Sequence, residues 1–191
     1  MLAEYRITLP PQTIENANPA AKAVLEKAFA QVGFIPNMYA RMVHSPGLLD
    51  TYLHGYAAFR GQSGFSTQEG ELILLAISRE NGCEYCVSAH SFLGDKKSGV
   101  PTEVTDAVRN DTEIPDPKLR ALATFTRALV AKRGLVSRAD VEAFLGAGYE
   151  ERHILEIILA ISVKTLSNYV NHLFHTPLDA VFAPRRWTEA R

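Results

Sequence analysis

A stretch in the middle of the chain organises the whole sequence, and it reads Glu71-Leu72-Ile73-Leu74-Leu75-Ala76-Ile77-Ser78-Arg79-Glu80-Asn81-Gly82-Cys83-Glu84-Tyr85-Cys86-Val87-Ser88-Ala89-His90. It holds the two cysteines of the chain, two residues apart, and a histidine four positions after the second. The run 72–77 is apolar at every position, so we expect a helix that is buried on all sides. Because one small domain supplies little such burial, this run also favours a homo-oligomer.

Two helices are predicted around the cysteines. Gly82 can end the apolar helix, and a second helix is expected from about Cys83 to about Lys97, closed by Gly99. If the two helices fold back as an antiparallel hairpin, Glu71 lies near His90.

The rest of the chain predicts an all-α fold, since no segment shows the period-two alternation of a strand. Helix starts are marked by Asn18-Pro19, by the capping box Ser66 to Glu69, and by Ser137. We interpret residues 1–191 as one helical domain with an extended N-terminal arm (1–17), a central helical hairpin (67–97), a second helical half (117–175) and a C-terminal tail (176–191).

The sequence also contains a possible internal repeat. The segment 74–78 resembles 158–162, 84 positions later, and the cysteine pair then falls on Ser167 and Val170. Two copies of one helical unit, of which only the first has thiols, would explain it, and so would chance similarity between two apolar helices.

Composition and charge exclude several classes of protein. The chain has 20 Lys and Arg against 21 Asp and Glu and no long basic run, so it lacks the electrostatic signature of a nucleic-acid-binding protein. Its apolar runs are shorter than a membrane span, and residues 1–6 do not resemble a signal peptide. We therefore expect a soluble cytoplasmic protein that binds neither nucleic acid nor membrane and carries no cofactor.

The spacing of the two cysteines and the histidine suits thiol chemistry. A helix N-terminus stabilises a thiolate, and residues three apart on a helix can bring their sulfurs together as a disulfide. His90 shares that face and can exchange a proton with Cys86, while Glu71 can orient the imidazole. Two buried inert thiols, and a carboxylate that only favours the helix dipole, remain the structural alternatives for Cys83, Cys86 and Glu71.

Glu71, eleven residues, Cys83-x-x-Cys86, three residues and His90 together resemble the E-x11-C-x-x-C-x3-H signature of the AhpD-like family, which includes the carboxymuconolactone decarboxylase proteins. The later segments Asn168-Tyr169-Val170-Asn171-His172 and Thr176-Pro177-Leu178-Asp179 are similar to a peroxidase-related branch of that family.

This resemblance implies a multihelical, oligomeric, thiol-based hydroperoxide reductase. Cys86 would attack the peroxide, Cys83 would resolve it to a disulfide, and Glu71 and His90 would relay protons. The reductant would be a dithiol: a lipoyl or thioredoxin-like protein, or a small thiol. Alkylhydroperoxidase D has a histidine before the second cysteine, where this chain has Tyr85. The decarboxylase branch works without the cysteine pair, so its reaction is disfavoured.

Two other functions compete with this one. Cys83, Cys86 and His90 could bind zinc in a structural or regulatory protein, with Glu71, His172 or His175 as a fourth ligand. The chain could also be a catalytically inert helical oligomerisation module that kept only the fold of the family.

Overall fold

The computed structural model describes residues 2–189, and in this range the chain is all-α. Nine α-helices follow one another: α1 (Pro19–Val32), α2 (Tyr39–Met42), α3 (Pro46–Gln62), α4 (Thr67–Glu80), α5 (Glu84–Leu93), α6 (Thr102–Asn110), α7 (Pro117–Ala131), α8 (Arg138–Gly146) and α9 (Glu151–Phe174). A π-helical turn (Gly94–Ser98) extends α5, and a 3₁₀ helix (Ala180–Arg185) lies in the C-terminal tail. The predicted fold class is confirmed.

The predicted helix starts are correct because side-chain caps satisfy free backbone N–H groups. Asn18 accepts a hydrogen bond from the backbone of Ala21 at 3.0 Å. Ser66 and Glu69 form the predicted reciprocal capping box of α4, and Ser137 begins α8 in the same way. Such caps join residues that lie three apart along the chain, so they can be predicted from the sequence.

Helix α4 is the centre of the fold. Residues 72–77 are completely buried, and α4 packs against α5, α7 and α9 within a single chain. A single chain therefore supplies the burial of this run, because α7 and α9, which follow it in the chain, cover the faces that α5 leaves open. The homo-oligomer that this run favoured stays a prediction.

The connection between α4 and α5 reverses the chain at Gly82. This residue has φ of 63°, a left-handed conformation that glycine adopts without strain. Helix α5 then packs against α4, so the predicted hairpin is present and brings residues near the start of α4 close to the end of α5.

The second half of the chain does not repeat the helical hairpin that α4 and α5 form in the first half. At the offset of 84 residues, the first residue of α4, Thr67, corresponds to Glu151, the first residue of α9. Leu166 then occupies the position of Gly82, and α9 continues without a break to Phe174. A common origin of the two halves stays a prediction.

By length and composition α9 could cross a membrane, yet one of its faces lies in the core of this fold. Ile157, Ala160 and Val163 are buried, followed along the same face by the polar residues Lys164 and Asn168. Helix α9 packs on α3, α4 and α5. We interpret it as a core helix.

The described parts of both terminal segments pack against this helical body. Residues 2–13 form no helix, and the backbone N–H groups of Ala3 and Ile7 donate to carbonyls at the end of α9. In the tail, Trp187 is buried and its indole N–H donates to the Arg109 carbonyl at 3.2 Å. The tail is therefore docked at Trp187.

Candidate active site

The hairpin of α4 and α5 joins Glu71 to His90. The carboxylate oxygen Oε1 of Glu71 lies 2.6 Å from Nδ1 of His90, and both side chains are buried. The other carboxylate oxygen accepts hydrogen bonds from Arg60 and from the Ser98 hydroxyl. Glu71 thus has a partner for each oxygen, which is the condition under which a buried carboxylate is stable.

Cys83 and Cys86 occupy the N-terminus of α5. Cys83 is the residue before the first helical position and Cys86 lies in the first turn, so the free N–H groups and the positive end of the helix dipole are close to the thiols. The side-chain amide of Asn171, on α9, donates to Cys86 Sγ at 3.3 Å and lies 3.8 Å from Cys83 Sγ. One amide therefore bridges the two sulfurs.

A lysine that was not among the predicted site residues completes this cluster. Lys164, on α9, is fully buried, and its Nζ lies 2.8 Å from Nε2 of His90. It lines the same cavity as Cys86, and its charge lowers the pKa of that thiol. Glu71, His90 and Lys164 thus form a connected series of polar groups beside Cys86.

The partners of His90 define its protonation. Lysine only donates hydrogen bonds, so Nε2 accepts, and an ionised carboxylate only accepts, so Nδ1 carries the proton. Burial and the charge of Lys164 lower the pKa of His90. Burial alone would raise the pKa of Glu71, but His90 and Arg60 lower it to about 2. The resting site thus pairs a neutral imidazole with a carboxylate.

The two thiols differ in acidity. Burial opposes ionisation of Cys86, but a hydrogen bond from Cys83 and the charge of Lys164 outweigh it, so its pKa lies well below the ordinary value. Burial and the hydrogen bond to Cys86 raise the pKa of Cys83. Cys86 is therefore the more acidic thiol of the pair, and the thiolate is the form of cysteine that reacts.

A cavity of about 400 Å³ opens onto this cluster. Cys86, His90 and Lys164 line it, whereas Cys83 does not. The remaining wall is largely apolar and aromatic, and includes Phe34, Met38, Tyr39, Tyr52, Phe92 and Phe182. A small organic molecule in this cavity would meet the sulfur of Cys86 and the Lys164 ammonium.

The arrangement does not suit zinc. Both ring nitrogens of His90 are engaged, by Glu71 and by Lys164, so no lone pair is left for a metal. His175, one proposed fourth ligand, bonds instead to the carbonyl of Ala3 at 2.8 Å. In the part of the chain that the structure describes, residues 2–189, no three His, Cys, Asp or Glu side chains are arranged to hold a metal ion.

Comparison with known proteins identifies the relatives of this site. The profile of the carboxymuconolactone decarboxylase family matches residues 46–128, which include Glu71, both cysteines and His90. Alkyl hydroperoxide reductase AhpD of Gluconacetobacter diazotrophicus is 32% identical over 113 residues, which are 57% of this chain and 56% of that protein. Residues 46–128, which hold the four predicted site residues, are therefore similar to this family, and the chain is similar to AhpD. The match spans little more than half the length of that curated relative.

Solved structures agree on the fold of this chain. An uncharacterized peroxidase-related protein with an alkylhydroperoxidase AhpD core, from Ralstonia eutropha JMP134, matches with a TM-score of 0.77 at 24% identity over 91% of this chain and 93% of its own. A variant of the debrominase Bmp8, in complex with 2,3,4-tribromopyrrole, matches with a TM-score of 0.75 at 17% identity, covering 94% of this chain and 96% of its own.

The AhpD-like signature of this protein departs from alkylhydroperoxidase D at Tyr85, and the structure gives that residue a different partner. The Tyr85 hydroxyl donates to Asp179 in the tail. Burial and the Asp179 charge raise the pKa of Tyr85, so the phenol stays neutral. Position 85 therefore links α5 to the tail instead of supplying a titrating group.

The structure brings all four predicted site residues of this AhpD-like protein together and adds Lys164 and Asn171. A signal for these two exists along α9. Both continue the buried row of Ile157 and Ala160 at helical spacing, so polar side chains occupy positions that face the core. Buried polar residues in such a row need partners, and here the partners are His90 and the two thiols.

Proposed function

We propose that this protein is a thiol-dependent hydroperoxide reductase in which Cys86 attacks the peroxide and Cys83 resolves the product to a disulfide. The observation that carries the proposal is the position of Cys86. Of the two paired thiols, it is the one that borders the cavity, and it is the more acidic one.

The reaction has three balanced steps. The Cys86 thiolate attacks the terminal oxygen of ROOH, an S–O bond forms, the O–O bond breaks, and RO⁻ takes up a proton to leave as ROH. The Cys83 thiol then attacks the Cys86 sulfenic acid, forming the disulfide and releasing water. An external dithiol, which is itself oxidised to a disulfide, finally reduces the Cys83–Cys86 bond to two thiols.

Glu71 and His90 serve the proton transfers of this cycle. The carboxylate holds Nδ1–H of the imidazole at 2.6 Å, which leaves Nε2 as the basic nitrogen on the side of the thiol. Nε2 accepts from Lys164, and both residues line the cavity beside Cys86. We infer that the proton moves between Cys86 and His90 by way of the lysine.

The reductant reaches the disulfide through the cavity. Cys83 is 1% exposed and Cys86 is 2% exposed, so a dithiol must enter as a narrow group to touch the Cys86 sulfur. Among the candidates, a lipoyl arm or a small thiol meets this condition more easily than the surface dithiol of a thioredoxin-like protein.

We also propose that the protein is a homo-oligomer that associates through α9. Leu155, Ile158, Tyr169 and Leu173 lie 39–67% exposed along this helix. A large exposed apolar stripe favours association with a partner surface.

Light scattering tests this assembly. The wild type is expected to have a mass above the 21.1 kDa of one chain, and Leu155→Glu combined with Tyr169→Glu is expected to reduce it to one chain. Phe29→Glu, which changes a 49% exposed side chain on α1, is the matched control and should leave the mass unchanged. A wild type that elutes as a single chain contradicts the proposal.

The enzymatic proposal is tested by a reductant-coupled assay on the wild type. Consumption of cumene hydroperoxide is expected with dihydrolipoamide or dithiothreitol, and peptide mass spectrometry should find Cys83 bonded to Cys86 after peroxide and free after reductant. Absence of turnover with every dithiol, including thioredoxin, would reject the function.

A second substrate in the same assay separates peroxide reduction from the reaction that the name of Bmp8 describes. Two thiols can also reduce a carbon–bromine bond, giving a disulfide, a C–H bond and HBr. We expect tribromopyrrole to be turned over more slowly than the hydroperoxide. The reverse order of rates would assign this chain a dehalogenase activity.

A further inference from the structure

Lys164 is a buried cation without a carboxylate partner. Its side chain is fully buried on α9, and among residues 2–189 no Asp or Glu oxygen lies within ion-pair distance of its Nζ. Its hydrogen-bond partner is the neutral ring of His90, at 2.8 Å, and Cys86 lines the same cavity. Glu71 is separated from it by the imidazole.

An unpaired buried charge is costly, so a group next to Lys164 has to compensate for it. The phenols that line the cavity do not, because burial raises the pKa of Tyr39 and of Tyr52 and both stay neutral. Cys86 borders the same cavity as Lys164, and it is the remaining acid whose negative charge can balance the ammonium. The site is therefore electrically balanced when Cys86 is a thiolate and Lys164 is protonated.

We propose that Lys164 is a catalytic residue of hydroperoxide reduction: its ammonium holds Cys86 as a thiolate and donates the proton that the departing alkoxide takes up. This inference rests on the proposed function. It also accounts for Tyr85. The cation beside the nucleophile comes from α9 and not from the position before Cys86. The side chain at that position, Tyr85, is bound instead to Asp179.

The protons that are gained and lost balance over one catalytic cycle. Lys164 loses a proton from Nζ when RO⁻ leaves as ROH, which leaves a neutral amine beside the Cys86 sulfenic acid. Disulfide formation releases water and needs no further proton. When the external dithiol reduces the disulfide, the new Cys86 thiol gives its proton to the amine, which restores the thiolate and the ammonium.

The first test measures the thiolate itself, in a Cys83→Ser background in which Cys86 is the single thiol. The rate of alkylation by iodoacetamide is followed from pH 5 to 9 in the parent, in Lys164→Met and in Lys164→Arg. We expect Lys164→Met to react at least ~10-fold more slowly at pH 7, because without the ammonium the thiol returns to an ordinary pKa of about 8.5 or above, at which only a few per cent of it is ionised at pH 7. Arginine keeps the charge and should retain part of the rate. Lys96→Met, at an exposed lysine on the π-helical turn, is the matched control.

Other titratable groups face Cys86 from the elements packed around it, but they do not explain a difference in alkylation rate between Lys164→Met and its parent. They are Cys83 and His90 together with the phenols of Tyr39, Tyr52, Tyr56 and Tyr85. Cys83 is absent from the background, the pKa of His90 is lowered, and the pKa values of all four phenols are raised, that of Tyr56 to about 12.

The second test measures proton donation with two peroxides. tert-Butyl hydroperoxide releases a strongly basic alkoxide, whereas peracetic acid releases acetate, which needs no proton to leave. General acid catalysis contributes ~10²–10⁴-fold, so Lys164→Met should lose at least ~100-fold in kcat/KM with tert-butyl hydroperoxide and much less with peracetic acid. Lys164→Arg should alkylate quickly yet remain slow with tert-butyl hydroperoxide, since a guanidinium does not give up a proton.

The outcomes separate this inference from the proposed function. Circular dichroism establishes that each variant is folded. A folded Lys164→Met variant with the alkylation profile of its parent and equal losses with both peroxides overturns the role of Lys164 and leaves the peroxidase intact. A wild type that reduces no peroxide rejects the proposed function, and the alkylation profile then decides alone whether Lys164 holds the thiolate.

Discussion

Replacing Cys86 by serine is expected to reduce hydroperoxide consumption to the background rate of the free reductant. The oxygen of serine is not ionised beside Lys164 and is a much poorer nucleophile than a thiolate, and Cys83 neither borders the cavity nor has a lowered pKa. The measurement is peroxide consumption with excess dithiol at pH 7, together with mass spectrometry of the peptide that contains residues 83–86.

Cys83→Ser is the matched variant for this experiment, since it removes one thiol of the pair and leaves the cavity unchanged. It should consume one equivalent of peroxide per chain and accumulate a sulfenic acid at Cys86 that dimedone traps. Turnover by Cys86→Ser, or a sulfenic acid found at Cys83, would reverse the two roles.

Replacing Glu71 by glutamine is expected to destabilise the protein by about 3 kcal/mol at pH 7. The carboxylate accepts from Nδ1 of His90 at 2.6 Å and from Ser98 at 3.1 Å, and it pairs with Arg60. An amide cannot accept at both of its heavy atoms, so one donor loses its partner and the Arg60 charge loses its counter-ion. Urea unfolding followed by circular dichroism measures the difference.

The wild type and Glu71→Gln are also expected to differ in how their free energy of unfolding depends on pH. The pKa of Glu71 falls from an ordinary value of 4.5 in the unfolded chain to about 2 in the fold. The folded protein therefore binds fewer protons than the unfolded chain between these values, and the stabilisation is complete above pH 4.5 and is lost as the pH falls toward 2. The gap between wild type and Glu71→Gln should narrow by about 2 kcal/mol at pH 3. Glu142→Gln, at an exposed glutamate on α8, is the control, and a gap that does not change with pH would contradict an ionised Glu71.

The contact between Glu71 and His90 could be predicted because it depends on one short reversal of the chain. A capping box fixes the start of α4, Gly82 ends it, and the two helices have lengths that place these residues opposite each other once the hairpin closes. Each of these signals lies within a few residues along the sequence.

The burial of residues 72–77 shows the limit of reasoning from local sequence. Their composition predicts a helix without an exposed face, and the structure agrees. The composition does not say which surface covers this helix. The cover is α7 and α9 of the same chain, and the apolar surface left exposed lies instead on α9, at positions such as Leu155 and Tyr169.

Local chemistry along the chain was sufficient to identify the all-α class, the helix starts, and the group formed by Glu71, Cys83, Cys86 and His90. Helical spacing places Lys164 on the buried face of α9, but only the packed structure shows that it meets His90, which is 74 residues away in sequence and 2.8 Å away in space. The reason is physical: caps, turns and hairpins are interactions between near neighbours, which residue types at fixed spacings encode. The charge beside a thiol, by contrast, depends on how a distant helix is rotated as it packs, and this rotation is set by the whole core.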